Sequence, residues 1–287
     1  MADIHAKQFD GATQVKLQIL KEYLREWLPV FLKKKEKYWK ELYIYDFFAG
    51  EGYDTSKNPG SPIIIIKELL EYHKDIIEEK INLKVVFNDI DKKKIEKLKE
   101  NINSDNPFQI DYLNEDFTEL FNRKYPEMMQ NNRFRLPRFM FIDQYGVKYV
   151  TEDIFNKLAD LKRTDFLFFI SSHFVKRFSD LPEFKKYIKV TKQDFDNTKP
   201  YQCHRVVFEY FKNMIPKGKE LYLAPFSLRK DGGSNVYGLI FGSHHLLGIE
   251  KFLNLVWRQD GIAGEANFNI DGAISEGLTF DMINEDT

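Results

Sequence analysis

The sequence predicts an α/β fold of Rossmann-like type: a mostly parallel seven-stranded sheet, an antiparallel C-terminal hairpin strand, and helices on both faces. Three observations predict it. Short apolar runs alternate with amphipathic helical segments, which implies right-handed crossovers and parallel pairing. Polar clusters stand at the ends of these runs, where open parallel sheets place their ligands. The last two runs, over 220–228 and 235–242, are joined only by Arg229 to Ser234, too short a link for anything but an antiparallel hairpin.

Residues 12–28 carry Leu17, Leu20, Leu24, Trp27 and Leu28 at helical spacing, and Pro29 is expected to end or kink that helix. The basic run Lys33-Lys34-Lys35-Glu36-Lys37 reads as a solvated face. The first strand covers 42–47. A helix over 63–72 comes next, with Ser61 expected as its cap and Pro62 in its first turn. A second strand over 84–87 ends in Asn88-Asp89-Ile90-Asp91, and the next helix turns Ile95, Leu98 and Ile102 inward. A short third strand begins near Phe108 and ends at Asn114-Glu115-Asp116. The fourth strand, 138–142, runs into Asp143-Gln144-Tyr145-Gly146, and the fifth, 166–170, ends at Ser171-Ser172-His173. The whole chain, 1–287, reads as a single domain with an N-terminal helical extension over 1–40 and a substrate-side insertion or lid over 172–204.

The composition narrows the function classes. Hydrophobic residues make up 43% of the 287, enough for a sizeable core. Lys and Arg together number 43 against 44 Asp and Glu, so no global basic field announces nucleic acid, although a local groove is compatible. The single cysteine, Cys203, excludes an internal disulfide framework and a thiolate metal cluster. No apolar leader or membrane-length run is present in the sequence, so a soluble cytoplasmic protein is expected. His173, His244 and His245 lack partners at ligand spacing, and no metal is expected.

Five parallel strands followed by a sixth and a reversed seventh are the arrangement of class I S-adenosylmethionine-dependent methyltransferases. In that frame Asp46-Phe47-Phe48-Ala49-Gly50-Glu51-Gly52 forms a strand-to-loop turn whose glycines let the backbone approach the donor's carboxylate and sulfonium side. Asp46 or Glu51 is the candidate for the donor's amino group. Asp89 offers two acceptor oxygens to the ribose hydroxyls, with Ile90 packing on adenine. Asp116 is a candidate for the adenine amino group, with Phe117 stacking nearby. Each acid also has an ordinary alternative: Asp46 holding a turn, Asp89 or Asp116 capping a helix. The motif Asp143-Gln144-Tyr145-Gly146 resembles the Asp-Pro-Pro-Tyr signature of amino-group methyltransferases, in which the acid holds the target amine and the ring stacks on a flipped base. Gln144 departs from that signature. The alternative is a Tyr145-Gly146 turn with Asp143 against the cofactor. Phe174-Val175-Lys176-Arg177-Phe178 reads either as a nucleic-acid grip or as a surface helix.

With these residues in view, the chain resembles the three-Cys-motif partner protein family, TcmP, over nearly its whole length. The resemblance lies in Thr13, Lys16, Ile19-Leu20, Tyr23-Leu24 and Trp27, in the Asp46 to Gly52 loop with Gly60-Ser61-Pro62, and in Asn88 to Asp91. It continues in Phe141 to Gly146, in Tyr237 to Ser243, and at Trp257. It implies a methyltransferase domain using S-adenosylmethionine. It also implies a nearby-encoded partner with a three-cysteine motif resembling radical S-adenosylmethionine enzymes. The resemblance leaves the acceptor open; the strand-end motifs make DNA or RNA the expected one.

Overall fold

The computed structural model describes residues 8–33, 39–102, 105–132, 136–230, 233–259 and 264–270; the basic run at 33–37 lies mostly outside them. Seven strands form one sheet: β1 (Glu41–Asp46), β2 (Asn82–Asn88), β3 (Gln109–Leu113), β4 (Arg138–Ile142), β5 (Thr164–Ile170), β6 (Tyr222–Arg229) and β7 (Val236–Ser243). Their order is β3-β2-β1-β4-β5-β7-β6. Strands β1 to β5 pair in parallel, while β7 lies antiparallel between β5 and β6. This is the Rossmann-like arrangement with a reversed C-terminal strand that the sequence predicts.

The central parallel strands β1, β4 and β5 and most of β2 are buried on both faces, as βαβ crossovers require, while edge strand β3 is only partly covered; alternate residues serve two cores. Ile44, Val85, Phe139 and Leu167 pack with α1 (Gly11–Leu32), α2 (Ser61–Glu71), α4 (Lys92–Asn101) and α10 (Leu246–Gln259). Tyr45, Val86, Met140 and Phe168 pack with α5 (Phe117–Asn131), α6 (Glu152–Asp160), α7 (Ser172–Phe178) and α9 (Cys203–Asn213) on the opposite face. Short helices α3 (His73–Glu78) and α8 (Pro182–Lys185) complete the set of described α-helices. Among the described residues no helix is long and apolar enough to cross a membrane.

Pro29 does not end α1, which continues to Leu32. A proline removes the hydrogen bond to the carbonyl four residues back; that carbonyl, of Arg25, instead receives the Tyr72 hydroxyl at 3.3 Å. Ser61 does not cap α2 either. Gly60 holds the cap position without a side-chain bond, and Ser61, in the first turn, is buried. Segment 172–204 contains α7, α8 and two 3-10 turns, and its Val175, Ile188, Val190 and Phe195 belong to the second core.

Candidate active site

The strand order reverses direction between β1 and β4, and at such a switch point the crevice outside the carboxyl ends receives a ligand. Asp46 closes β1, Asp89 follows β2 directly, and Asp143 follows β4 directly. Their charges reach one another: Asp143 and Asp89 both push the Asp46 carboxyl upward. The structure therefore brings these three acids to one rim.

Asp46 is fully buried. Its Oδ1 accepts from the Phe48 N–H at 3.2 Å, while Oδ2 has no hydrogen-bond partner. Burial raises its pKa to about 7, with the Ser61 hydroxyl and the Phe48 N–H opposing and the neighbouring acids adding to the rise. A buried carboxylate oxygen with no well-formed hydrogen bond and only the Ser61 hydroxyl near the group is costly, and a cation or N–H group from a ligand would satisfy it.

Asp89 is held in a different way. Oδ2 accepts from the Gly50 N–H at 3.0 Å and Oδ1 from the Asp91 N–H at 2.8 Å. The cap of α4 is Asp91, whose side chain accepts from the Lys93 N–H, so Asp89 is not the capping acid. Gly50, with φ of 64°, therefore spends its N–H on Asp89 rather than offering it to a ligand. Ile90 beside it is 64% exposed, an apolar surface next to a paired acceptor.

The glycine loop differs from its sequence reading in one respect. A Cβ at Gly52 (φ 96°) would lie 3.0 Å from Leu98 and 3.1 Å from Ile63, so this glycine makes room for α2 and α4, not for a ligand. Glu51 turns its carboxylate to Lys97 at 2.7 Å, which leaves Asp46 as the acid facing the rim. Ala49 is buried and donates its N–H to the Asn88 carbonyl at 2.8 Å.

At the end of β3, Asp116 caps α5, accepting from Thr118 N–H at 2.8 Å and Glu119 N–H at 3.4 Å. Phe117 is buried among Phe47, Phe48, Phe121 and Tyr149, so the stacking face expected of it is already covered by protein. Phe48 is half-buried against the same cluster, 5.1 Å from Tyr149 between ring centroids.

Beyond β4 the three candidate acceptor residues separate. Asp143 Oδ2 takes Lys16 Nζ from α1 at 2.5 Å, with both side chains largely buried. Gln144 is buried, and its Oε1 accepts from the Tyr149 and Val150 N–H groups at 2.9 and 3.2 Å; its Nε2 has no partner. Gln144 thus pins its own loop through Oε1. Tyr145 is 53% exposed, and the Gly146 carbonyl accepts from the Ser171 N–H at 3.0 Å.

The roles of two residues escape a sequence reading. Asn88, fully buried, donates to the Phe47 and Glu115 carbonyls and accepts from the Glu115 N–H, tying together the loops after β1, β2 and β3. Its only signal is an amide placed directly before the acid. Lys16 enters the sequence reading only through the family resemblance, which gives no sign of its pairing with Asp143. His204 forms a second buried clamp, between Ser172 Oγ (2.9 Å) and the Leu239 carbonyl (3.0 Å), and burial lowers its pKa to about 4. Burial likewise raises the Cys203 thiol to about 11. Among the described residues no group of three His, Cys, Asp or Glu side chains is arranged for a metal.

Two open surface hollows among the described residues are lined by residues away from this rim. One of about 470 Å³ is lined by Asp180, Lys185 and Lys192, and another of about 560 Å³ by Lys189, Arg205 and Tyr210.

No protein-family model matches the sequence, and no curated protein is similar to it. Solved structures do show likeness. A SAM-dependent methyltransferase from Agrobacterium tumefaciens aligns over 81% of this chain and 61% of its own, at 10% identity and a TM-score of 0.40. Protein LPL1258 from Legionella pneumophila aligns over 85% and 91%, at 11% identity and 0.45. An O-methyltransferase from Bacillus cereus, solved with SAH, aligns over 82% and 91%, at 13% identity and 0.37. The chain spans about three fifths of the Agrobacterium protein.

Proposed function

We propose that this chain is an S-adenosylmethionine-dependent methyltransferase acting on a base amino group in nucleic acid, together with a three-cysteine-motif partner encoded nearby. The observation that carries the donor half is Asp89. It is a half-buried carboxylate fixed by two backbone N–H groups at the β1/β4 switch point, beside an exposed Ile90. Such a carboxylate keeps acceptor capacity for paired hydroxyls. The orphaned Oδ2 of Asp46 adds a buried acceptor where an ammonium group would be favoured. Asp46, the Gly50 loop, Asp89 and Ile90 would hold the donor, which supplies an electrophilic methyl group when bound. Transfer by displacement depends on in-line positioning more than on a strong base. In this reading Tyr145 supplies the stacking ring and Asp143 accepts an amine hydrogen once Lys16 yields Oδ2. The partner rests on the family resemblance and is read by co-purification.

A second reading is a donor-binding module that docks the partner without transferring a methyl group. Two observations favour it: Lys16 occupies Asp143, and Gln144 is spent on its own loop. Calorimetry with S-adenosylhomocysteine tests both. Saturable binding is expected, and the absence of heat at high micromolar ligand rejects both readings. Binding without label transfer from methyl-tritiated donor to DNA or RNA, alone or with the partner, selects the module.

A further inference from the structure

A row of aromatic rings at the carboxyl end of β5 plays no part in donor binding. It starts at Phe169, whose ring carries Lys16 Nζ at 4.7 Å, and passes to Tyr237, stacked on Phe169 at 5.5 Å. His173 meets Tyr237 edge-on at 4.7 Å and Phe174 at 4.3 Å, and Phe178 lies 5.9 Å beyond Phe174. All five residues are half-buried: Phe169 and Tyr237 back onto the first core, Phe174 onto the second and Phe178 onto Phe184, and each residue keeps part of its surface toward solvent. Rings this close are ordinarily core, but a core row would not be lined with cations. Lys230 lies over Tyr237 at 5.6 Å, and the exposed Arg177 over Phe178 at 5.2 Å. Lys230 also pairs with Asp10 at 2.6 Å, which moderates its pull on any other anion.

The row begins at the acceptor side of the rim. Lys16 joins Phe169 to Asp143, and the field of Tyr145 reaches Lys230. Segment 172–204 is basic on balance, whereas the whole chain is close to neutral.

We infer that this row is a stacking platform for an unpaired nucleic-acid strand, leading one base toward Asp143 and Tyr145. Every base has a π-face, so a line of rings holds a strand with little regard to sequence, while flanking cations track its phosphates. A duplex hides its base faces within its own stack and cannot use such a row. The inference deepens the proposed transfer reaction by naming the acceptor as single-stranded, and it rests on that reading only for the chemistry after the strand is bound.

Fluorescence anisotropy with labelled unpaired DNA and RNA of about 15 nucleotides tests it. The full chain is expected to bind these probes at low salt, to lose affinity as salt rises, and to bind the matching duplex at least about 10-fold more weakly. Phe174→Ala is expected to weaken unpaired binding by about 10-fold. Arg177→Glu, on an exposed position that folding does not depend on, is expected to weaken it as well. Duplex bound as tightly as single strand, or both variants binding like the parent, overturns the platform. Calorimetry on the same preparations separates the two readings. Protein that binds S-adenosylhomocysteine but no oligonucleotide overturns the platform alone. Ring-dependent oligonucleotide binding without S-adenosylhomocysteine binding sustains the platform and overturns the donor reading.

Discussion

The two halves of the rim hold their carboxylates by opposite means. On the β1/β2 side, Asp89 is fixed by N–H groups from Gly50 and Asp91, and Asn88 stitches the adjoining loops together. On the β4 side, Asp143 is held by Lys16, a side chain 127 residues away in sequence. The first arrangement fixes geometry and leaves the negative charge in place. The second neutralises the charge and depends on how α1 is packed. Under the proposed function, a site that binds a cationic donor and then admits an acceptor gains from this division, since only the β4 half has a side-chain pair to be exchanged.

The largest expected effect comes from breaking the charged half. Lys16→Met leaves Asp143 without its partner in a poorly solvated place, and about 3 kcal/mol of stability is expected to go, the lower end of what buried pairs show. Chemical denaturation measures it, and adding Asp143→Asn is expected to restore most of the loss. If Lys16→Met is neutral alone, the pair does not hold the acceptor half. Next, Asp89→Ala is expected to weaken S-adenosylhomocysteine binding by about 10- to 100-fold, equivalent to ~1.4–2.7 kcal/mol. Lys16→Met should leave that affinity within about 2-fold, so the two substitutions sharpen the division of labour.

The glycines repeat the comparison on a smaller scale. Gly52 and Gly146 both have positive φ, at 96° and 84°, yet a Cβ on Gly146 meets nothing within 4 Å while one on Gly52 strikes Leu98 and Ile63. Gly146→Ala is expected to cost about 1 kcal/mol for backbone strain alone, and Gly52→Ala about 2 kcal/mol or more. Equal losses in thermal melts would refute the packing role of Gly52.

The smallest net effect is in pH. Asp46 holds its proton more tightly when folded, to about 7, so its contribution falls as pH rises from about 4 to 7. His204 holds its proton less tightly when folded, to about 4, so its contribution rises with pH from about 4 to 6.5. Between about pH 4 and 6.5 the two slopes oppose; Asp165, raised by burial, adds to the side of Asp46, and His173, lowered by burial, to that of His204. Relative to the parent, Asp46→Asn should tilt the profile toward rising with pH, and His204→Asn toward falling. Identical profiles for both variants would contradict the assignments.

Much of this architecture is legible in the sequence, and the failures have physical causes. The strands read well because each is a short apolar run closed by polar residues, and Arg138 to Ile142 is delimited to the residue. Helix α5 is harder, because Pro126 sits inside it as an apparent breaker and its capping Asp116 also looks like a ligand acid. Pro29 is hard to read in the same way, since the hydroxyl that compensates for it comes from Tyr72, in the turn between α2 and α3. At the site, Asp46 and Asp89 can be read from strand ends, whereas the Lys16–Asp143 pair depends on how α1 lies across the sheet. Gln144 reads as a departure in a reacting position; its amide instead fastens the next turn, which spacing alone cannot show.

The continuity of α1 through Pro29 sets how the acceptor half must operate. One unbroken rod carries Lys16 at one end and Trp27, packed on Phe139, at the other. Sliding that rod would drag aromatic contacts across the sheet floor. In the proposed reaction, freeing Asp143 is therefore cheapest as a swing of one lysine about its own torsions, with the acceptor amine competing against a single tethered ammonium.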